Sequence, residues 1–186
     1  MSDERPNVER TGDWMMTWSG RQFWPLDPRP EEVALDDIAV ALAHQGRYNG
    51  HTRHFYSVAQ HSCELAAYFK KRGEIGLARF ALMHDATEAY VGDIIRPLKP
   101  YLANFGAIEM RLERVIFDRF GLLGELPVPV KDADTRILTD EFLALFPREA
   151  VQLHRLDKRA RLDIEIRALT PTAARDRFMA THRELW

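Results

Sequence analysis

From Glu31 to the end of the chain, apolar residues recur at helical spacing in stretches closed by glycine or proline. Val33, Ile38 and Leu42, with the alanines between them, form one apolar stripe that ends near His44. A second helix is expected from about Ser57 to Arg72, stopped by Gly73, and a third from about Glu74 to Val91, stopped by Gly92. A fourth is expected over Tyr101–Phe120, before Gly121, and a fifth from about Val130 to Phe146. Pro147 opens a charged stretch expected to be helical to Arg167, and Thr170-Pro171 reads as an N-cap and first helical position for a last helix to Leu185. Ahead of these, Met15–Leu26 places aromatics on either side of Ser19-Gly20, which fits a short β-hairpin. Strands and helices do not alternate, so the expected fold is all-α: a helical bundle with a short N-terminal hairpin.

The chain has 186 residues, enough for one domain with a sizeable core; residues 1–13 are polar and expected to be flexible. The net charge of −2 gives no long-range attraction to nucleic acid or to an anionic membrane. No apolar run approaches the roughly 20 residues that cross a bilayer. Cys63 is the single cysteine, so no intrachain disulfide forms and a reducing cytoplasm is the expected compartment.

The segment from His84 to Pro100 carries the chemistry: His84-Asp85, then Glu88 and Asp93, then Arg96 and Lys99. The apolar run Phe80-Ala81-Leu82-Met83 precedes the pair directly, and a carboxylate beside such a run is costly to bury unless it is paired or bound to a cation. On a continuous third helix, His84, Asp85 and Glu88 share one face by their three- and four-residue spacings. His61 and Asp134 lie in other apolar helical stretches, and two imidazoles with two carboxylates suit a divalent ion that keeps open positions for water.

His61, His84-Asp85 and Asp134 in this order resemble the pattern of HD-domain phosphohydrolases. The longer run His84-Asp85-Ala86-Thr87-Glu88, Gly92-Asp93, Pro97 and Lys99 is similar to the bacterial 5′-deoxynucleotidase branch, and the resemblance covers roughly Arg47 to Glu141. It implies an HD-type helical fold and one divalent metal ion held by His61, His84, Asp85 and Asp134. Asp134 is preferred over Asp132 because the family's aspartate follows alanine. The resemblance further implies Glu88 as the proton-transfer group, Asp93 at the cavity mouth, and Arg47 and Lys99 as phosphate-binding cations, with Arg47 one residue out of the family's offset. Arg47-Tyr48-Asn49-Gly50-His51 departs from the deoxynucleotidase pattern and looks like that of a related group of small HD hydrolases. Binuclear family members use additional histidines between the His-Asp pair and the last aspartate; none stands between His84 and His154, so a mononuclear centre is expected. The implied activity is hydrolysis of a small phosphomonoester, a nucleoside 5′-monophosphate first, in a protein that is often a dimer in this family. Nucleotide sensing without turnover, and hydrolysis of a phosphodiester or pyrophosphate, are the alternatives.

Plainer roles compete at several positions. Asp93 after Gly92 also fits a turn cap, Lys99 a solvated cation, and Asp134 a carboxylate favouring a helix N-terminus. His51 and His54 read as loop histidines, His154 and His182 as surface residues. Trp14, Trp18, Phe23 and Trp24 read as core or interface, and Cys63 as a small buried side chain.

Overall fold

A computed structural model describes residues 10–153 and 161–186. The described residues are all-α apart from one hairpin, as expected, and none of their helices is long and apolar enough to cross a membrane. The hairpin pairs β1 (Met15–Met16) with β2 (Gln22–Phe23) in antiparallel register, Met15 opposite Phe23. The helices are α1 (Leu35–His44), α2 (Val58–Lys71), α3 (Ile75–Met83), α4 (Glu88–Val91), α5 (Phe105–Arg119), α6 (Val128–Leu145), α7 (Arg148–Leu153) and α8 (Pro171–Leu185).

α2 is the central element: it packs against α1, α3, α6 and α8, and every residue from Val58 to Ala66 is buried. Ser57 caps it, its hydroxyl accepting from the Gln60 N–H at 3.1 Å. A helix buried all round must satisfy its own polar side chains from neighbouring elements. Glu64 receives the Arg177 guanidinium from α8 as a two-pronged pair at 2.6 and 2.9 Å. Gln60 bonds the backbone at Arg167 and Leu169, anchoring the segment that leads into α8. His61 faces α6. The apolar core of Ile38, Leu42, Leu65, Leu82, Ile116, Ile137 and Phe178 is essentially solvent-free.

Arg10 pairs with Asp27 and Glu32 at 2.7 Å each and stacks over Trp24; residues 1–9 and His154 lie outside the described residues. Two expectations need correction. The third helix is broken: α3 ends at Met83 and α4 begins at Glu88. Between them the backbone tightens to three-residue bonds, Ala86 N–H to Met83 and Glu88 N–H to Asp85. The cause is local, because the His84 imidazole takes the Ala81 carbonyl at 2.8 Å, which would otherwise accept from the helix backbone. Finally, helix does not run from Pro147 to Arg167: α7 covers Arg148–Leu153, and 161–170 is irregular, held to α6 by Asp140, which accepts from Leu162 N–H at 2.8 Å and Arg161 at 3.0 Å. Of the N-terminal aromatics, Phe23 is buried and stacks on Tyr90 at 3.8 Å, whereas Trp14 and Trp18 are exposed.

Phe178→Ala opens a cavity where α8 meets the core and is expected to cost about 3–5 kcal/mol. The urea midpoint should fall accordingly with an unchanged slope.

Candidate metal centre

α2 brings His61, the turn after α3 brings His84 and Asp85, and α6 brings Asp134 to one point. His61 Nε2 lies 3.2 Å from His84 Nε2 and 3.1 Å from Asp134 Oδ1. Asp85 Oδ2 stands 3.1 Å from His84 Nε2 and 3.6 Å from His61 Nε2. Donors of His61, His84 and Asp134 all fall within 4.8 Å of one another. Two ligands each about 2.0–2.2 Å from one ion sit at roughly these separations. Asp132, two residues before Asp134, points away and pairs with Arg136.

The hydrogen bonds on the far side of each ring decide what the near side offers. His84 Nδ1 meets a backbone carbonyl, which only accepts, so Nδ1 carries the hydrogen. His61 Nδ1 meets Glu141 Oε1 at 2.6 Å. Burial works to raise the Glu141 pKa, but Arg47, His61 and Tyr48 overcome it and hold the carboxyl at about 2, ionised and accepting. In its neutral form each ring therefore keeps its lone pair on Nε2, and the two Nε2 atoms stand 3.2 Å apart. Without a cation, burial opposes a proton on His61, yet Glu141 and Asp134 raise its pKa to about 9. A divalent cation would answer the same need, and His61, His84 and Asp134 offer it donors from three elements. Burial likewise works to raise Asp85 and Asp134, and the imidazoles hold both well below the usual carboxylate range.

The profile of a family described as HD domain matches residues 42–181. The chain belongs to the HD-domain family. HD domains bind divalent metals and make up a superfamily of metal-dependent phosphohydrolases. The donor set fits such an ion. Two proteins are similar to this chain over much of their length. The Escherichia coli (strain K12) "Uncharacterized protein YfdR" is 38% identical over 128 residues, 69% of this chain and 70% of that protein. The Rhodobacter capsulatus "Uncharacterized protein RCAP_rcc00048" is 34% identical over 188 residues, 92% of this chain and 95% of that protein.

Around the HD residues lies a ring of charge. Glu88, first residue of α4, is buried, and its Oε2 has no hydrogen-bond partner. Burial raises its pKa, and Asp85 and Asp93 raise it further. Gln45 clamps α4 from α1, donating to the Glu88 carbonyl at 2.9 Å and accepting from Asp93 N–H at 3.2 Å. Asp93 follows Gly92, whose φ of +80° turns the chain out of α4. Burial raises the Asp93 pKa, with Arg47 opposing and Asp85 adding to it. Arg47 is buried between Asp85, at 3.4 Å, and Glu141, at 3.3 Å, with its Nε unpartnered. The Lys99 ammonium pairs with Glu109 at 2.8 Å and sits over Phe105. Arg96, half-exposed in the same loop, reaches Asp134 Oδ2 at 2.9 Å. His51 and His54 are exposed loop histidines, Cys63 is buried as expected, and His182 is half-buried, stacked on Trp186 at 4.3 Å.

Sequence reasoning missed Glu141, Tyr48 and Arg96. Glu141 had a signal: it is seven residues after Asp134 in α6, two turns along the same face, and directly before the apolar run Phe142-Leu143-Ala144-Leu145. Tyr48 had none, because its place depends on an unusual backbone. Tyr48 and Asn49 have φ of 57° and 53°, and Gly50 of 77°, three left-handed residues in succession. Tyrosine there costs about 1–3 kcal/mol. Its hydroxyl bond to Glu141 and its ring edge-on to Phe142 and Phe146 hold it in place.

His84→Ala and Asp134→Ala are expected to weaken Co²⁺ or Mn²⁺ binding beyond the roughly 10–100-fold that loss of an outer partner costs. Asp132→Ala is expected to leave it unchanged. Calorimetric titration of the metal-stripped protein separates these outcomes.

Proposed function

We propose that the protein hydrolyses a small phosphomonoester, with a nucleoside 5′-monophosphate as the first candidate, at a centre holding one divalent ion. The observation that carries this is the pair of unpartnered buried groups flanking the His-His-Asp cluster: the Glu88 Oε2 acceptor and the Arg47 Nε donor. An acceptor for a water proton and a donor for a phosphoryl oxygen are the two groups that phosphate-ester hydrolysis needs beside a cation. His61, His84, Asp85 and Asp134 would hold the ion, which when bound lowers the pKa of water and draws charge from a phosphoryl oxygen.

The chain's own residues then divide the remaining work. With an ion offsetting the charge of Asp85, Glu88 would be ionised and would take the proton of the attacking water at Oε2. Its burial and the nearby carboxylates make it a stronger base than a solvated glutamate. Arg47 and Arg96 neutralise the phosphoryl oxygens; Arg96 is free to swing because its side chain is half-exposed and held by one bond. Asp93, with a raised pKa, gives its proton to the leaving alkoxide. Lys99 adds positive potential from the rim, where it stands in electrostatic reach of Glu88 and Asp85. The absence of any histidine between Asp85 and His154 supports one ion over two.

Metal-loaded protein is expected to release inorganic phosphate from nucleoside 5′-monophosphates, ahead of di- and triphosphates and of cyclic dinucleotides. Glu88→Gln should retain the ion and lose turnover by about 10²–10⁴-fold. Arg96→Ala should raise KM more than it lowers kcat. Phosphate release from di- or triphosphates alone would move the activity to a pyrophosphate bond, and a nucleotide that raises Tm without any release would replace turnover by sensing.

A further inference from the structure

Glu141 touches neither the ion's place nor any open space: it is fully buried on α6, behind the site. A buried carboxylate is expensive, and this one is met by three donors from two different segments. His61 Nδ1 reaches Oε1 at 2.6 Å, while Arg47 Nη2, at 3.3 Å, and the Tyr48 hydroxyl both reach Oε2. The two carboxylate oxygens thus serve two different tasks. Oε1 fixes the hydrogen of His61 on Nδ1, which leaves Nε2 as a lone pair facing His84 and Asp134. Oε2 holds the left-handed turn at Tyr48 and the guanidinium of Arg47 one residue before it. No other carboxylate lies within hydrogen-bond reach of His61 Nδ1 among the described residues.

From this we infer that Glu141 is a positioning residue that sets the metal site and the anion site together. It orients His61 toward the ion through one oxygen and Arg47 toward the phosphoryl group through the other. An acceptor behind a ligating imidazole fixes its tautomer and raises its basicity, and losing one typically costs 10–100-fold in metal affinity. The inference rests on the metal-centre reading above and adds a residue to it.

Glu141→Gln keeps the shape and one acceptor oxygen but removes the charge; Glu141→Ala removes both. In the metal-stripped proteins, Co²⁺ titration is expected to show affinity reduced by about 10–100-fold in Glu141→Ala and by less in Glu141→Gln. Inorganic phosphate binding to the loaded Glu141→Gln protein should weaken as well, since Arg47 loses its partner. Should either variant fail to fold, the Zn²⁺-loaded wild type still decides: NMR of its histidine rings should show a slowly exchanging, hydrogen-bonded Nδ1–H on His61. Metal affinity equal to wild type in a folded Glu141→Ala protein, or a His61 ring carrying its hydrogen on Nε2, would overturn the role of Glu141 alone. Wild-type protein that binds no Co²⁺ or Zn²⁺ would overturn the metal centre itself, and this inference with it.

Discussion

The burial of α2 on every side from Val58 to Ala66 is the constraint from which the rest of the structure follows. A helical stretch with no solvent face leaves its polar side chains nothing but other protein groups to bond. Glu64 draws in α8 through Arg177, and Gln60 draws in the irregular segment before it. His61 draws in α6 twice, by Glu141 behind the ring and Asp134 in front. The same bonds that close the bundle therefore define the site, and the imidazole is held on both nitrogens before any ligand arrives. Such a site is stiff, which suits chemistry that depends on groups already being in place.

Charge completes the logic. Asp85, Glu88, Asp93, Asp134 and Glu141 crowd around two arginines, Arg47 and Arg96, and the burial of several of them makes the excess of negative charge costly. A divalent cation would relieve that excess, and under the proposed function a phosphorylated ligand would follow it, drawn to the cation and the arginines together.

Much of this was legible in the sequence, and for physical reasons. The helical period and its glycine stops placed α2, α5, α6 and α8 within a few residues, because each buries an apolar stripe whose spacing the sequence displays. The choice of Asp134 over Asp132 agrees with their opposite facings on α6. What failed was whatever depends on side chains competing with backbone. The helix expected to carry His84 at its middle breaks there because His84 itself takes a backbone carbonyl, and periodicity cannot register that competition. The pairings of Lys99 with Glu109 and of Arg96 with Asp134 were not legible either, because a loop's side chains are aimed by partners from other elements. Tyr48 was invisible since no propensity favours tyrosine in left-handed backbone; the buried Glu141 and the rings of Phe142 and Phe146 offset the cost of that conformation.

The most direct measurement is anomalous diffraction from crystals of the metal-loaded protein, collected at the absorption edge of the bound ion. A single peak about 2.0–2.3 Å from His61 Nε2, His84 Nε2 and carboxylate oxygens of Asp85 and Asp134 is the expected result. Two peaks bridged by these carboxylates, or a peak only at other residues, would contradict a mononuclear HD centre built on His61.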